Sequence, residues 1–358
     1  MSVIIRLLKD KYKSIINSII ALAIGFIGGI FAIYVAGFDV GEAMGMFWAH
    51  SIGNPFVDIY PLTVTLTYSA PLMLTGLAFA LCARAGLFNI GVEGQLYMGA
   101  LGIVLASSML GLPTGLHSLV ILGGAVLFAL AWSSIPAILK VWRGTNEVVV
   151  TIMLNYIALW TADYIIFKFY ADPSDATKSI PIPAYARLPL LVEGTSLSWN
   201  IVLSIGVVLL VYFFLWYTKF GYEMRVAGTN PTAARYAGIN PRRAVISSFL
   251  IGGVLAGLAA YEKIAGIPPS YSVMSSMANV VGAGLDGIAV ALVGANHPIG
   301  IIFASFLIGM LSAGAKGFNL IGIPKEVVYI FQGVIVMSLA VPNIYTLIKR
   351  KIKGVGGG

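Results

Sequence analysis

The chain has 358 residues, a formal charge of +8 and one cysteine; 59% of its side chains are hydrophobic and only 10% are charged. Soluble domains hold roughly 45–50% apolar and about 25% charged residues, so the composition is that of a membrane protein. One cysteine, Cys82, excludes an intramolecular disulfide and leaves no thiolate cluster for a metal.

Ten apolar runs are long enough to cross a hydrocarbon core of roughly 30 Å. They lie near residues 15–37, 61–82, 90–110, 118–139, 147–168, 200–217, 244–262, 278–295, 298–314 and 326–345. The first follows Arg6, Lys9, Lys11 and Lys13. It exceeds a secretory-signal core of about 7–15 residues, so it reads as a retained transmembrane helix. Residues 1–14 and 346–358 read as cytoplasmic tails around a polytopic transmembrane domain at 15–345. Glycines four apart, Gly25 with Gly29 and Gly253 with Gly257, would let helix backbones approach closely.

The stretch GLFNIGVEGQ, residues 86–95, sets Asn89, Glu93 and Gln95 at the start of the third run. Arg84 marks the cytoplasmic end of the second run, and Gly86 and Gly91 predict a tight reversal. Asn89 then caps the third helix, and Glu93 is compensated by a positive helix end and by Arg84. Glu93 and Gln95 are left between two roles, a structural clamp and the wall of a passage.

At the mouth of the fifth run, Asn146 and Glu147 suit a helix cap, with substrate contact as the other role. Asn155 lies eight residues further along, roughly 12 Å deep by helical rise, as a candidate passage-lining amide. Residues 169–199, with Asp172, Asp175, Glu193 and several prolines, form an outside loop too polar and too broken to span.

The largest inside loop, 218–243, has legible local chemistry. Asn230-Pro231 starts a helix, Gly238 stops it after two turns, and Asn240-Pro241 opens the next span. A separately capped helix with an exposed apolar face suits docking better than a plain connector. Further on, Glu262 sits at an outer span end beside Lys263, where snorkelling makes a charge ordinary. Asp286 heads the eighth run near Asn279, and an ionisable residue inside a span is a functional candidate. The ninth run, short and glycine-rich, also suits a re-entrant segment. A faint echo relates Gly86-Leu87, Ile90 and Val92 to Gly284-Leu285, Ile288 and Val290.

With ten spans and the N-terminus inside, 16 of the 22 Lys and Arg residues fall on the cytoplasmic side. The positive charge therefore records topology, with both termini cytoplasmic, and does not mark a nucleic-acid footprint. No phosphate-cradling GxxxxGK[ST] is present, so the chain has no P-loop. His50, His117 and His297 lack partners at ligand spacing, and no nucleophile–base pair stands inside the spans. The reading is a polytopic membrane protein expected to have no enzymatic activity, metal or bound cofactor of its own.

Three stretches together resemble permease subunits of prokaryotic ABC importers: AGTNPTAARYAGINP, RAGLFNIGVEGQLYMGA and RGTNEVVVTIMLNYIA. The branch is that of branched-chain amino-acid, ribose and nucleoside permeases, and the last two stretches look most like its nucleoside or simple-sugar members. The resemblance covers about residues 60–342. It implies an all-α, type II importer-like fold of about ten transmembrane helices, in the plasma membrane. It also implies a second permease, identical or different, two ATP-hydrolysing subunits that carry ATP and Mg, and a solute-binding lipoprotein outside. A coupling helix would include Gly228, Asn230, Pro231, Ala233, Ala234, Arg235, Tyr236, Ala237 and Gly238. The passage candidates are Asn89, Glu93, Gln95, Asn155, Asn279 and Asp286. The competing reading is an ion-coupled secondary transporter with Glu93 or Asp286 as relay.

Overall fold

A computed structural model describes residues 22–109 and 112–340. The tails, the start of the first run and the end of the last lie outside the described residues. The chain divides into two compact units, residues 58–310 and the flanking segments up to 57 and from 311.

The larger unit begins with α3 (Tyr60–Arg84), the most buried of the long helices. Pro71 within it has no N–H to give to the Thr67 carbonyl one turn back. Asn200 Nδ2, 3.4 Å from that oxygen, supplies a donor from α7 (Asn200–Tyr217), as hydrocarbon requires of any freed carbonyl. Against α3 stand α7, α10 (Pro241–Ala265) and α11 (Ala283–Val293), while α5 (Thr114–Arg143) packs on α10 and α4 (Val92–Ser107), and α6 (Glu147–Phe169) packs on α4. The expected close approach of helices is present between α10 and α5. A methyl on Gly257 would come within 2.6 Å of Val126 Cα, and one on Gly253 within 3.0 Å of Leu130 Cα. Small residues let two backbones meet where no hydrophobic force separates protein from lipid.

Outside the spans, Ala171–Asp172 (β1) and Asp175–Ser179 (β2) pair antiparallel in the polar loop. The Thr177 hydroxyl beside Asp175, with Lys178 at 3.0 Å, holds that carboxyl down to about 2. On the other side, α8 (Lys219–Thr229) and α9 (Pro231–Tyr236) precede α10.

One span differs from expectation: the eighth is only an 11-residue helix, α11 (Ala283–Val293), entered through left-handed turns at Ser276, Met277 and Gly282. The ninth, read as a span with a re-entrant segment as the alternative, is α12 (Pro298–Leu320), 23 residues and long enough to cross. Its glycines sit in a continuous helix, since tertiary packing offsets their weak propensity. Among the described residues, six helices are long and apolar enough to span a membrane, and α4 and α11 are among the shorter apolar ones.

The smaller unit holds α1 (Leu22–Val35), α2 (Val40–Ser51), the end of α12 and α13 (Lys325–Ala340). Phe47, Phe318 and Phe331 pack with centroids 5.3–5.7 Å apart, and Phe26 meets Phe331 at 5.9 Å. Gly25 and Gly29 bring α1 against Ile335 and Phe331. Helix α2, capped by Asp39, is too short to register as a span in the sequence.

Replacing Gly257 by Leu should destabilise the α5–α10 seam by ~1–3 kcal/mol, the usual cost of overpacking. Gly206→Leu on α7, where nothing lies within 4 Å, should be silent. Thermal unfolding of the purified protein in detergent, followed by size-exclusion, compares the two.

Candidate functional site

The third apolar run does not start at the membrane surface. Asn155, eight residues into α6 and so roughly 12 Å along it, accepts from Gly94 N–H (2.8 Å) and donates to the Ile90 carbonyl (3.0 Å). That pairing sets the start of α4 about two turns along α6, and residues 85–91 form an irregular stretch in which Ala85, Leu87, Asn89 and Gly91 are buried while Gly86 and Phe88 are exposed. Non-helical backbone inside a membrane is tolerated only where protein or a cavity surrounds it.

Glu93 lies in the first turn of α4, and its carboxylate receives the N-terminus of α11. Oε1 accepts from Gly282 N–H (2.5 Å) and from the Tyr97 hydroxyl (2.6 Å). Oε2 accepts from Gly284 N–H (2.6 Å) and Leu285 N–H (3.2 Å). Four donors fill about four lone-pair sites. Three free amides at the N-terminus of α11 thus converge on one buried carboxylate, an arrangement favoured by the dipole of that helix. Gly284 is required for this approach: a methyl there would meet Glu93 Cα at 2.6 Å.

The other candidates separate. Asn89 is buried, and its Oδ1 accepts from Gly91 N–H (2.9 Å). It closes the turn before α4; the helix itself is capped by Gly91 without a side chain, which corrects the expected Asn89 cap. Gln95 is buried with neither amide atom hydrogen-bonded among the described residues. Asn279 binds the Ser272 carbonyl and Met274 N–H, and so shapes the loop before α11. Asp286 is exposed on the first turn of α11, with Lys263 and Glu93 as charged neighbours. Glu93, Asn155 and Asp286 therefore gather around the α4–α11 junction, whereas Asn89 and Asn279 serve their own loops. The two echo segments are not equivalent, one being a turn and the other a helix.

Glu262 corrects the expectation of a snorkelling end residue. It is fully buried, and the Ser204 hydroxyl stands 2.8 and 2.9 Å from its carboxylate oxygens. Helical spacing carries the signal, because Ser248, Gly252, Leu255, Ala259 and Glu262 follow one buried stripe. At the mouth of α6, Asn146 caps Val148 and Val149, while Glu147 pairs with Lys140 at 2.7 Å.

On the cytoplasm-assigned face, Asn230 Oδ1 accepts from Thr232 and Ala233 N–H (3.1 and 3.0 Å). Gly238 at φ 77° ends α9 in the left-handed conformation. Ala234 is buried and Tyr236 is 91% exposed, so the helix holds to the chain by one residue and presents the rest. Just before it, Gly228 lies backbone to backbone on the turn after α3, and a methyl on Gly86 would meet the Gly228 carbonyl oxygen at 2.8 Å. Arg84, expected to mark the cytoplasmic end of the second run and to compensate Glu93, instead donates to the carbonyls of Ala295 and Asn296 beyond α11 (3.0 and 2.8 Å). Arg84 and Arg225 both lie on the Trp216 ring, 5.6 and 5.2 Å from its centroid.

Residues 62–340 match the family described as branched-chain amino acid transport system / permease component. The chain belongs to this permease family. It is 36% identical to the guanosine ABC transporter permease protein NupP of Bacillus subtilis, over 97% of this chain and 99% of the relative. Identity to the nucleoside ABC transporter permease protein NupB of Lactococcus lactis is 32%, over 97% and 96%. The guanosine ABC transporter permease protein NupQ of B. subtilis is 27% identical over 79% and 86%. This permease is accordingly a multi-pass plasma-membrane subunit of an ABC importer.

Glu93→Ala should free the N-terminus of α11 in this permease. Amide exchange at residues 282–285 should accelerate, and thermal stability should fall by about 1.5–3 kcal/mol, the scale of a hydrogen bond to a charged group. Hydrogen-exchange mass spectrometry in nanodiscs checks it, with Glu93→Gln expected to lose less.

Proposed function

We propose that this permease carries a nucleoside, or a related ribosyl or sugar-like solute, into the cell by alternating access, driven by ATP hydrolysed on separate subunits. The carrying observation for the solute is the likeness over nearly full length to relatives named for guanosine and nucleosides. A glucose permease relative of Haloferax volcanii, TsgB13, at 29% identity keeps the sugar-like class in view. Among the described residues there are ten apolar helices, six of them long enough to span, and in this reading all ten cross or enter the membrane, with both termini in the cytoplasm.

The partner permease is a different chain in this reading. In two organisms the relatives include two differently named permeases for one solute class, NupP with NupQ and NupB with NupC. This chain is nearer to NupP and NupB, at 36% and 32%, than to NupQ and NupC, at 27% and 29%, so its partner is of the second type. A solute-binding lipoprotein delivers cargo outside. The chain itself binds no cofactor and no nucleic acid; ATP and Mg belong to the ATPase subunits.

Helix α9 is the coupling helix, seated in a cleft of the ATPase. Two observations support this: its independent caps and the exposure of Tyr236. ATP binding draws the ATPases together, α9 follows, and the paired permeases switch the side to which the passage opens.

Tyr236→Asp should strip about 2 kcal/mol or more from ATPase docking, the scale of an interface hot spot. The ATPase should be lost on co-purification while the permease elutes as wild type. Uptake of labelled nucleoside into proteoliposomes holding the whole assembly should stop when ATP is replaced by a nonhydrolysable analogue. Uptake persisting on an ion gradient alone would overturn the reading.

A further inference from the structure

Exposure here means surface not covered by this chain, which lipid, solute or another subunit can meet. On α5 and α7 the outward faces follow the lipid pattern. Leu119, Leu127 and Ile138 on α5, and Val202, Ile205, Leu209 and Leu210 on α7, are aliphatic through the middle, with Trp142 and Tyr217 at the ends. Aromatic residues with polar tips concentrate at membrane interfaces, where the tip reaches water.

Helix α6 breaks this pattern. Tyr156 and Trp160 are each 64% exposed and stand 9 and 13 residues from Glu147, in the middle of the span. At helical rise they lie roughly 14 and 20 Å along it, in the centre of a core of about 30 Å. Neither the Tyr156 hydroxyl nor the Trp160 indole N–H has a hydrogen-bond partner among the described residues. Exposed Thr161 adds a third polar tip. Unpaired donors facing acyl chains are costly, so a polar space fits this face better than lipid. A packed partner helix fits it poorly too, because membrane helices meet through small residues, and here bulky rings hold a backbone away.

The location agrees. Tyr156 lies within electrostatic reach of Tyr97, which donates to Glu93, and Asp286 is exposed one turn into the helix that Glu93 holds. The opposite face of α6, with Thr151, Asn155, Ala158 and Ala162, packs inward and is fastened to α4 by Asn155. Asn155, expected to line the passage, is instead occupied in fastening α6 to α4.

We propose that Tyr156 and Trp160 form the wall of the solute passage and stack on the flat ring of a heteroaromatic solute, with Asp286 accepting from its hydroxyl groups. The proposal rests on the nucleoside reading and assigns the residues that meet the base. Stacking tolerates any flat ring and costs the solute no shape change, which suits a passage that must also release it.

The test uses the assembled transporter with its ATPases, partner permease and binding protein in proteoliposomes. Because the sole native cysteine, Cys82, is buried, the wild type is a silent background for single cysteines. Tyr156→Cys and Trp160→Cys should react with a charged, membrane-impermeant thiosulfonate, and a purine nucleoside should slow that reaction. Leu127→Cys and Leu209→Cys should stay inert. Trp160→Leu should lower nucleoside uptake ~10-fold, the scale of losing one stacked ring, with Trp160→Phe near wild type and the subunits still co-purifying. Cysteines on α6 as inert as the two controls would overturn the proposal. So would unprotected cysteines in a transporter that carries nucleosides, or a Trp160→Leu variant that loses its partner permease. Failure of the wild type to take up any nucleoside is a separate result and overturns the solute reading first.

Discussion

A single buried carboxylate, Glu93, holds together the N-termini of two short apolar helices, α4 and α11. An uncompensated charge at the centre of a membrane costs about 2.5 kcal/mol or more, and it is tolerated here because three backbone amides and a tyrosine hydroxyl supply all the donors it can accept. The dependence is mutual. The first amides of α11 have no partners within their own helix, and bare amides at that depth would be as unfavourable as the bare charge. Each half cancels the other's penalty, which is how a chain that must span oil can stop and restart helices within it.

The features legible in the sequence were those set by local chemistry. Asn230, Gly238 and Asn240 place the ends of α9 and the start of α10 because capping depends on neighbours two or three residues away. Run length found the long helices for a similar reason. What could not be read was tertiary. Glu93 carries no mark in the sequence of the amides 189–192 residues away that receive it. Composition also failed where it had two meanings. Glycine in residues 298–314 signals either a break or a tight packing face, and the neighbours select packing. Glu262 was misread because proximity to a span end was weighed ahead of the helical stripe on which it falls.

The exposed face of α6 teaches the complementary lesson. Tyr and Trp read in sequence as generic apolar content of a span, and only their height and outward direction, compared with α5 and α7 in the same molecule, give them meaning. Amides such as Asn155 and Asn279 attract attention as polar residues, yet both are occupied in fastening backbone. In a membrane protein a satisfied polar group is structural, and an unsatisfied one facing outward points to solute.

Helix α11 is tethered at both ends, by Glu93 before it and by Arg84 through the carbonyls of Ala295 and Asn296 after it. Both tethers flank the same short turn between α3 and α4, and Gly228, three residues ahead of α9, lies on that turn with no side chain between. A contact of bare backbone has no rotamers in which to absorb a shift, so the segment leading into α9 is joined to the α3–α4 turn, and through Glu93 and Arg84 to both ends of α11, by one continuous set of close contacts.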